Sequence, residues 1–184
     1  MPLRPSLLLG AVLLAGCGSL GPVSRPPAEP PVLRLSPASF GAVVELAQRL
    51  QVQRGESTRT LDAALAVDAE RVQLAMLAGG RRVLTLHFDG RHLEQKRDPR
   101  VPGVINGARI LSDLQLVYWP AAAVRAALPR GWSLAEGENW RTLAAQGEPM
   151  VEIHYRGQPR WRGRTQLLSH RYDYVLTIDS EELE

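Results

Sequence analysis

Residues 71–97, RVQLAMLAGGRRVLTLHFDGRHLEQKR, decide the fold of this chain. Apolar and polar residues alternate along them, which is the pattern of a strand with one buried face. The pairs Gly79-Gly80 and Asp89-Gly90 interrupt the alternation, and both are typical of tight turns between antiparallel strands. The stretch therefore predicts strands over 71–78, 82–88 and 91–97, joined as a meander with one apolar and one polar face.

The alternation continues on both sides of this meander. It predicts earlier strands over 46–54 and 60–68, and later strands over 132–136, 140–145, 150–156, 166–170 and 172–178. Between the two strand regions, apolar residues recur at helical spacing. Ser112 and Gln115 form a capping-box pattern, and Pro120 ends this first helix and begins a second one over 121–128.

A sheet of about ten strands must curl, split or close. We therefore expect a mainly β (α+β) fold, with one domain over residues 36–184 that forms a curved antiparallel half-barrel with the two short helices on its concave side. Apolar residues of one alternating phase would line that side, namely Leu50, Val52, Leu65, Val67, Leu74, Met76, Leu84, Leu86, Phe88, Leu176 and Ile178. Two interpretations stay open: the helices fill this space as a plain core, or they leave a cleft that buries an acyl or aryl-polyene chain.

The first residues are typical of an exported protein. A helix that spans a bilayer needs about 20 apolar residues, and the apolar run 7–14 is far shorter. We therefore predict that residues 1–16 are a signal peptide. The run ends in LAGC, which resembles the lipobox of bacterial lipoproteins. This resemblance implies cleavage between Gly16 and Cys17 and acylation of the Cys17 thiol, which would anchor the protein in a membrane.

The residue that follows the cysteine indicates which membrane carries the anchor. Gly18 stands where an Asp would retain a lipoprotein in the inner membrane under the enterobacterial sorting rule. We therefore expect a lipid-anchored protein on the periplasmic face of the outer membrane. Residues 17–35 comprise the acylated Cys and a Pro-rich tether of extended character.

Composition excludes several classes of function. The 184-residue chain holds 22 Lys and Arg, 19 Asp and Glu, and one Cys. A single Cys excludes an intrachain disulfide and a Cys-rich metal site. The basic residues are scattered among acidic ones, so nucleic acid is not an expected partner. The expected partners are the membrane, reached through the acyl chains, and a hydrophobic ligand or a periplasmic carrier protein.

Signatures of catalysis are missing from the sequence. The nearest approach to G-x-S-x-G, at residues 131–135, lacks the final Gly, and the four His have no metal-ligand spacing. We therefore expect no enzyme, no catalytic residue, no metal and no cofactor. Arg81 and Arg82 are either solubility charges at a hairpin or contacts for a lipid phosphate or an aryl carboxylate. Asp113 is expected to be a charge in the first turn of a helix.

The order of lipobox, tether, meander, two short helices and returning meander resembles that of LolA and LolB, which move lipoproteins across the periplasm. Residues 48–52, 84–90, 110–120 and 128–132 are also similar to a family of outer-membrane lipoproteins, a domain of unknown function, that aryl-polyene pigment clusters encode. These resemblances imply a protein that binds or transfers a hydrophobic ligand (an acyl chain, a lipoprotein or an aryl polyene) in envelope assembly. The alternative is a structural or interaction lipoprotein that docks a periplasmic partner through a sheet edge or the loop 98–107.

Overall fold

Ten antiparallel strands form one open sheet in the computed structural model, which describes residues 28–100 and 106–183. The strands are β1 (Val44–Arg54), β2 (Ser57–Val67), β3 (Val72–Ala78), β4 (Arg81–Phe88), β5 (Leu93–Arg97), β6 (Trp132–Glu136), β7 (Trp140–Ala145), β8 (Glu148–Arg156), β9 (Gly163–Ser169) and β10 (Tyr174–Glu182). Two helices, α1 (Gly107–Tyr118) and α2 (Ala121–Ala127), lie between β5 and β6, and a short 3-10 turn, Pro37–Phe40, precedes β1. The expected mainly β fold with two short helices is confirmed.

The strand order is β5-β4-β3-β2-β1-β10-β9-β8-β7-β6. Each half of the chain therefore forms its own meander, and the first and last strands pair to join the two halves. This order leaves β5 and β6 as the two edges of the sheet, and the chain between them carries both helices. A connection from one edge to the other has to cross a face of the sheet, which is why the helices cover one.

Pairing register aligns the apolar residues of neighbouring strands. Leu46 lies opposite Leu65, Leu65 opposite Leu74, and Leu74 opposite Leu86, so these four leucines form a continuous row across β1 to β4. All four are less than 10% exposed. The period-2 pattern that predicted the meander is therefore the pattern of the buried face.

One predicted turn differs from the structure. Asp89-Gly90 is part of a four-residue loop, and β5 begins at Leu93 rather than at residue 91. The Asp89 carboxylate accepts hydrogen bonds from the backbone N–H groups of Arg91 (2.8 Å) and His92 (2.7 Å), which holds both residues out of the strand. These two bonds also lower the pKa of Asp89 to about 2.

The tether ends earlier than the sequence predicts. Leu33 and Leu35 are 3% and 8% exposed and belong to the core, although the prediction places them in the tether. The Leu33 N–H donates to the Ser112 hydroxyl (2.9 Å), and the Leu35 N–H donates to the Gln115 side-chain oxygen (2.8 Å). Polar side chains of α1 thus satisfy the backbone of this extended segment, so the folded domain includes residues before Ser36.

The same hydrogen bonds correct the predicted start of the first helix. Helix α1 begins at Gly107, where Asn106 is the N-cap and its side chain accepts from the Ala108 N–H. Ser112 and Gln115 lie inside the helix and bind the preceding segment instead of capping it. Neither helix in the described part of the chain is long and apolar enough to cross a membrane.

Candidate functional site: the apolar sheet face and its helical cover

The eleven residues predicted to line the concave side lie in the described sheet, and nine of them are buried: Leu50, Leu65, Val67, Leu74, Met76, Leu84, Leu86, Phe88 and Ile178. Val52 and Leu176 are only partly buried. We call the face that carries them the apolar face, and residues 107–127 the helical cover. The cover contributes its own buried side chains to the same core, Leu111, Leu116, Val117, Trp119 and Val124 among them. In this structure the apolar face is thus packed against the cover.

Arg141 of β7 is the strongest polar link between the cover and the sheet. Its side chain is 3% exposed and donates to the carbonyl oxygens of Leu116 (3.0 Å) and Trp119 (2.6 Å). Carbonyls at the end of a helix have no intrahelical partner, so a buried guanidinium satisfies groups that would otherwise be orphaned. Its charge is balanced by the Glu136 carboxylate at 3.1 Å.

Glu136 of β6 collects three arginines at this end of the cover. Arg160 lies 2.6 Å from its carboxylate, Arg141 3.1 Å and Arg125 of α2 3.7 Å. Burial opposes ionisation of this carboxyl, but the hydrogen bonds and charges of Arg160 and Arg141 outweigh burial and lower its pKa. The cluster is therefore an ionised network that fixes α2 against the edge strand.

Two tyrosines complete the links near the middle of the cover. The Gln48 amide of β1 donates to the Tyr118 hydroxyl (2.9 Å) and to the Ser180 hydroxyl of β10 (2.8 Å). The Tyr155 hydroxyl of β8 donates to the Val117 carbonyl (2.7 Å), and burial raises the pKa of Tyr155 to about 12. Every one of these groups has a partner, so the links are structural and carry no free acid or base.

Asp113 differs from its expected role. It lies in the middle of α1, facing the sheet, where the Tyr174 hydroxyl donates to its carboxylate at 3.0 Å. Burial raises the pKa of Asp113 to about 6, against the opposing effects of the Tyr174 hydrogen bond and the nearby Arg109 charge. The first-turn interpretation is wrong because α1 begins six residues earlier than the capping-box pattern indicates.

Asp113→Asn is expected to remove a pH dependence of stability. The carboxyl ionises near 3.8 in an unfolded chain but near 6 in the folded one, so the folded protein binds more protons between these values. The stability that the protonated carboxyl contributes is full below about pH 4 and is lost as the pH rises through about 6. Urea unfolding measures the effect. Between about pH 4 and about pH 7, the free energy of unfolding of the wild type should fall, relative to that of the Asn variant, by on the order of 2 to 3 kcal/mol. Parallel stability profiles of the two proteins would contradict this role.

The cover is attached unevenly. Its hydrogen bonds reach β1, β5, β6, β7, β8 and β10, through the residues described above and through Gln95, which accepts from the Gly107 N–H (2.9 Å). Within the described residues, no side chain of β2, β3 or β4 hydrogen bonds to the cover. There the contact is made by apolar side chains, such as Leu65, Leu74 and Leu86. Polar links at β5 and from β1 onward thus hold the cover on both sides of β2, β3 and β4, and between them it rests on an apolar floor.

The remaining predicted site residues lie elsewhere. Arg81 and Arg82 begin β4 and are both exposed. Arg82 borders a groove of about 390 Å³, which is also lined by Glu45, Glu94 and Lys96, and an anion contact at Arg82 stays a prediction. Gly16 and Cys17 lie outside the described residues. In the described part of the chain, no group of three His, Cys, Asp or Glu is placed to hold a metal ion.

Gln48 and Arg141 are the linking residues that the sequence did not reveal as such. Each occupies the apolar phase of its strand, Gln48 between Leu46 and Leu50, and Arg141 two residues before Leu143. A polar residue in an apolar phase is the available signal, since a buried polar group needs a partner. The pattern alone does not say which partner.

A comparison with known protein families identifies the family of this chain. Residues 45–182, which span β1 to the end of β10, match the family described as "Protein of unknown function (DUF3261)". The comparison with curated proteins gives no match. The match covers most of the chain and nearly all of the sheet, and the chain therefore belongs to the DUF3261 family.

Proposed function

We propose that this protein is a lipid-anchored protein of the outer membrane, facing the periplasm, whose domain binds a hydrophobic chain between the apolar face and the helical cover. The lipobox at residues 14–17 supports the anchor. The order of elements, similar to that of LolA and LolB, supports a half-barrel that carries an acyl chain, a lipoprotein or an aryl polyene. The resemblance to lipoproteins of aryl-polyene clusters supports a polyene as one such ligand.

The uneven attachment of the cover is the observation that carries the proposal. Over β2, β3 and β4 the cover rests on apolar side chains, between the Gln95 link at β5 and the Gln48 link at β1. An apolar chain that enters this gap replaces one apolar contact by another, at about 25 cal/mol per Å² of surface removed from water. Beyond β1, Arg141 and Tyr155 also keep the cover attached. The arrangement supports a cover that admits an apolar chain over β2, β3 and β4 while polar links on both sides of them hold it to the sheet.

The alternative, a non-catalytic interaction lipoprotein, is favoured by a different observation. The apolar face is already filled, because nine of its eleven predicted residues are buried. The two edges of the sheet, β5 and β6, are poor docking sites for a partner strand, however. On β5, Glu94, Lys96 and Arg97 place charges along one edge, and on β6 the Leu134 carbonyl already accepts from Arg125 (2.9 Å).

Leu86→Ala separates the two functions. Leu86 is 5% exposed beneath the cover, so its truncation is expected to lower the free energy of unfolding by about 2 to 5 kcal/mol. In a carrier, a bound chain refills the space, and a polyene fatty acid such as cis-parinaric acid should restore part of this loss by binding the folded state. The measurement is urea unfolding of the detergent-solubilised full chain with and without the fatty acid, together with the fluorescence of the bound probe.

The neighbouring residue Thr85 provides the control, because adjacent residues of a strand point to opposite faces. Thr85→Ala should leave probe uptake unchanged. A wild-type protein that binds no probe, with an unfolding midpoint that fatty acid shifts in neither variant, would favour the interaction lipoprotein instead.

A further inference from the structure

A polar pocket lies on the opposite face of the sheet from the helical cover. It encloses about 400 Å³ where β1, β10, β9 and β8 run side by side, and it is lined by Gln51, Asn139, His154, Tyr155, Arg156, Arg164, Gln166 and Thr177. Gln51 lies opposite Thr177, Thr177 opposite Gln166, and Gln166 opposite His154. Gln51, Thr177, Gln166 and His154 therefore form a row of outward side chains across four strands. Tyr155 also borders the pocket, although its hydroxyl donates to the cover on the other face.

The charges of one row on this face leave one arginine without an ion-pair partner among the described residues. A second row, adjacent to the first, runs through Asp62, Arg49, Asp179, Arg164 and Arg156 in register. Arg49 pairs with Asp62 at 3.2 Å, and Arg164 forms two bonds to Asp179, at 2.7 and 3.0 Å. Arg156 has no ion-pair partner in the parts of the chain that the structure describes.

Arg156 also stands directly opposite Arg164 across the β8–β9 pair. Like charges in directly opposed positions destabilise a sheet. An anion placed between the two guanidinium groups would remove this repulsion. Arg156, which lacks an ion-pair partner, thus meets a like charge at the edge of the polar pocket.

The other lining side chains suit an anion. The amides of Gln51, Gln166 and Asn139 can each donate two hydrogen bonds, and Thr177 and His154 can donate one. Among the described residues, no carboxylate lines this pocket. It differs in this respect from the groove beside Arg82, which contains two.

We propose that this pocket binds a phosphate group, either free or as the ester of a lipid headgroup. Arg156 presents the planar fork that binds two phosphate oxygens at once, while Arg164 stays on Asp179 and adds its charge from the other side. The side-chain amides complete the shell. The site is on the face opposite the helical cover, so its occupation does not depend on the proposed binding of a hydrophobic chain.

Calorimetric titration of the full chain tests the site, in an uncharged detergent at neutral pH and low salt, with inorganic phosphate and glycerol 3-phosphate as separate probes. Arg156→Gln should weaken binding by about tenfold or more, and Arg156→Lys should restore part of it because it keeps the charge without the fork. Arg91→Gln is the matched control. It removes the same charge from an exposed side chain far along the sheet and should leave binding unchanged.

The two probes separate the sources of the phosphate. Binding of both supports a site for phosphate esters such as lipid headgroups, and binding of inorganic phosphate alone supports a site for the free anion. Two results would overturn the proposal. One is a wild type that binds neither probe at about 10 mM, and the other is an Arg156→Gln variant that binds as tightly as Arg91→Gln. Matching thermal unfolding of these two variants excludes misfolding as a cause.

Discussion

Cys17→Ala is expected to abolish acylation of the protein and to remove it from the outer-membrane fraction. Cys17 carries the only thiol of the 184-residue chain, so no other side chain can form the thioether to a lipid. Stable membrane attachment requires buried hydrocarbon, at about 0.8 kcal/mol per methylene, and the variant has no acyl chain to supply it. Metabolic labelling with radioactive palmitate and membrane fractionation measure the two effects.

Ser19→Ala serves as the control for this substitution. It changes a small residue two positions after the cysteine and leaves the LAGC box intact, so it should be labelled and fractionated like the wild type. Labelling of Cys17→Ala at the wild-type level would show that the protein is not a lipoprotein.

Arg141→Met should be among the most destabilising single substitutions in the domain. The guanidinium is buried, donates to the carbonyls of Leu116 and Trp119, and pairs with Glu136. Methionine fills much of the same volume but donates nothing, so the carbonyls at the end of α1 lose their donor and Glu136 loses one of its three arginines. Removing one member of a buried ion pair typically costs about 3 to 5 kcal/mol, and urea unfolding measures that loss.

Arg49→Met is the matched control for Arg141. Arg49 also pairs with a carboxylate, Asp62, but its side chain is 64% exposed. Solvent screens such a pair, and the loss should stay below about 1 kcal/mol. Equal losses from the two variants would mean that Arg141 does not hold the cover to the sheet.

The strands of the first meander could be predicted because a single physical signal specifies them. Residues 71–97 alternate with period 2, and burial of one face selects that same period, so sequence pattern and structure agree there. The loop after β4 was mispredicted because the Asp89 side chain competes for the backbone N–H groups of Arg91 and His92. A local hydrogen bond thus shortened a strand that propensity alone would have extended.

The segment before Ser36 shows what a local pattern cannot reveal. Its prolines are typical of a tether, yet Ser112 and Gln115, about 80 residues later in the chain, bind its backbone. Polar side chains such as those of Ser112 and Gln115 can either cap a helix or bind the backbone of another segment, and the local pattern indicated a capping box. Only the tertiary arrangement decides between capping a helix and binding a distant strand.

The residues of the candidate site likewise fall into a group that the sequence predicted and a group that it did not. Its apolar residues were predictable, because Leu65, Leu74 and Leu86 follow the buried phase of their strands. The residues that attach the cover were not, because Gln48 and Arg141 only interrupt that phase, and their partners come from elements distant in sequence. Composition also did not reveal that Arg156 lacks an ion-pair partner among the described residues, because cross-strand register decides which charges meet.

The pairing of the first strand with the last has a consequence for biogenesis. Leu46 lies opposite Glu182, so β1 gains its second neighbour only when the final strand has arrived. In a chain that is exported from its N-terminus onward, as proposed, β1 would wait with one side unpaired until the last strand arrives. The last contacts to form are also the most distant in sequence, which makes closure of the sheet slow. A chain truncated before residue 174 lacks β10 and is expected to be a substrate for proteases.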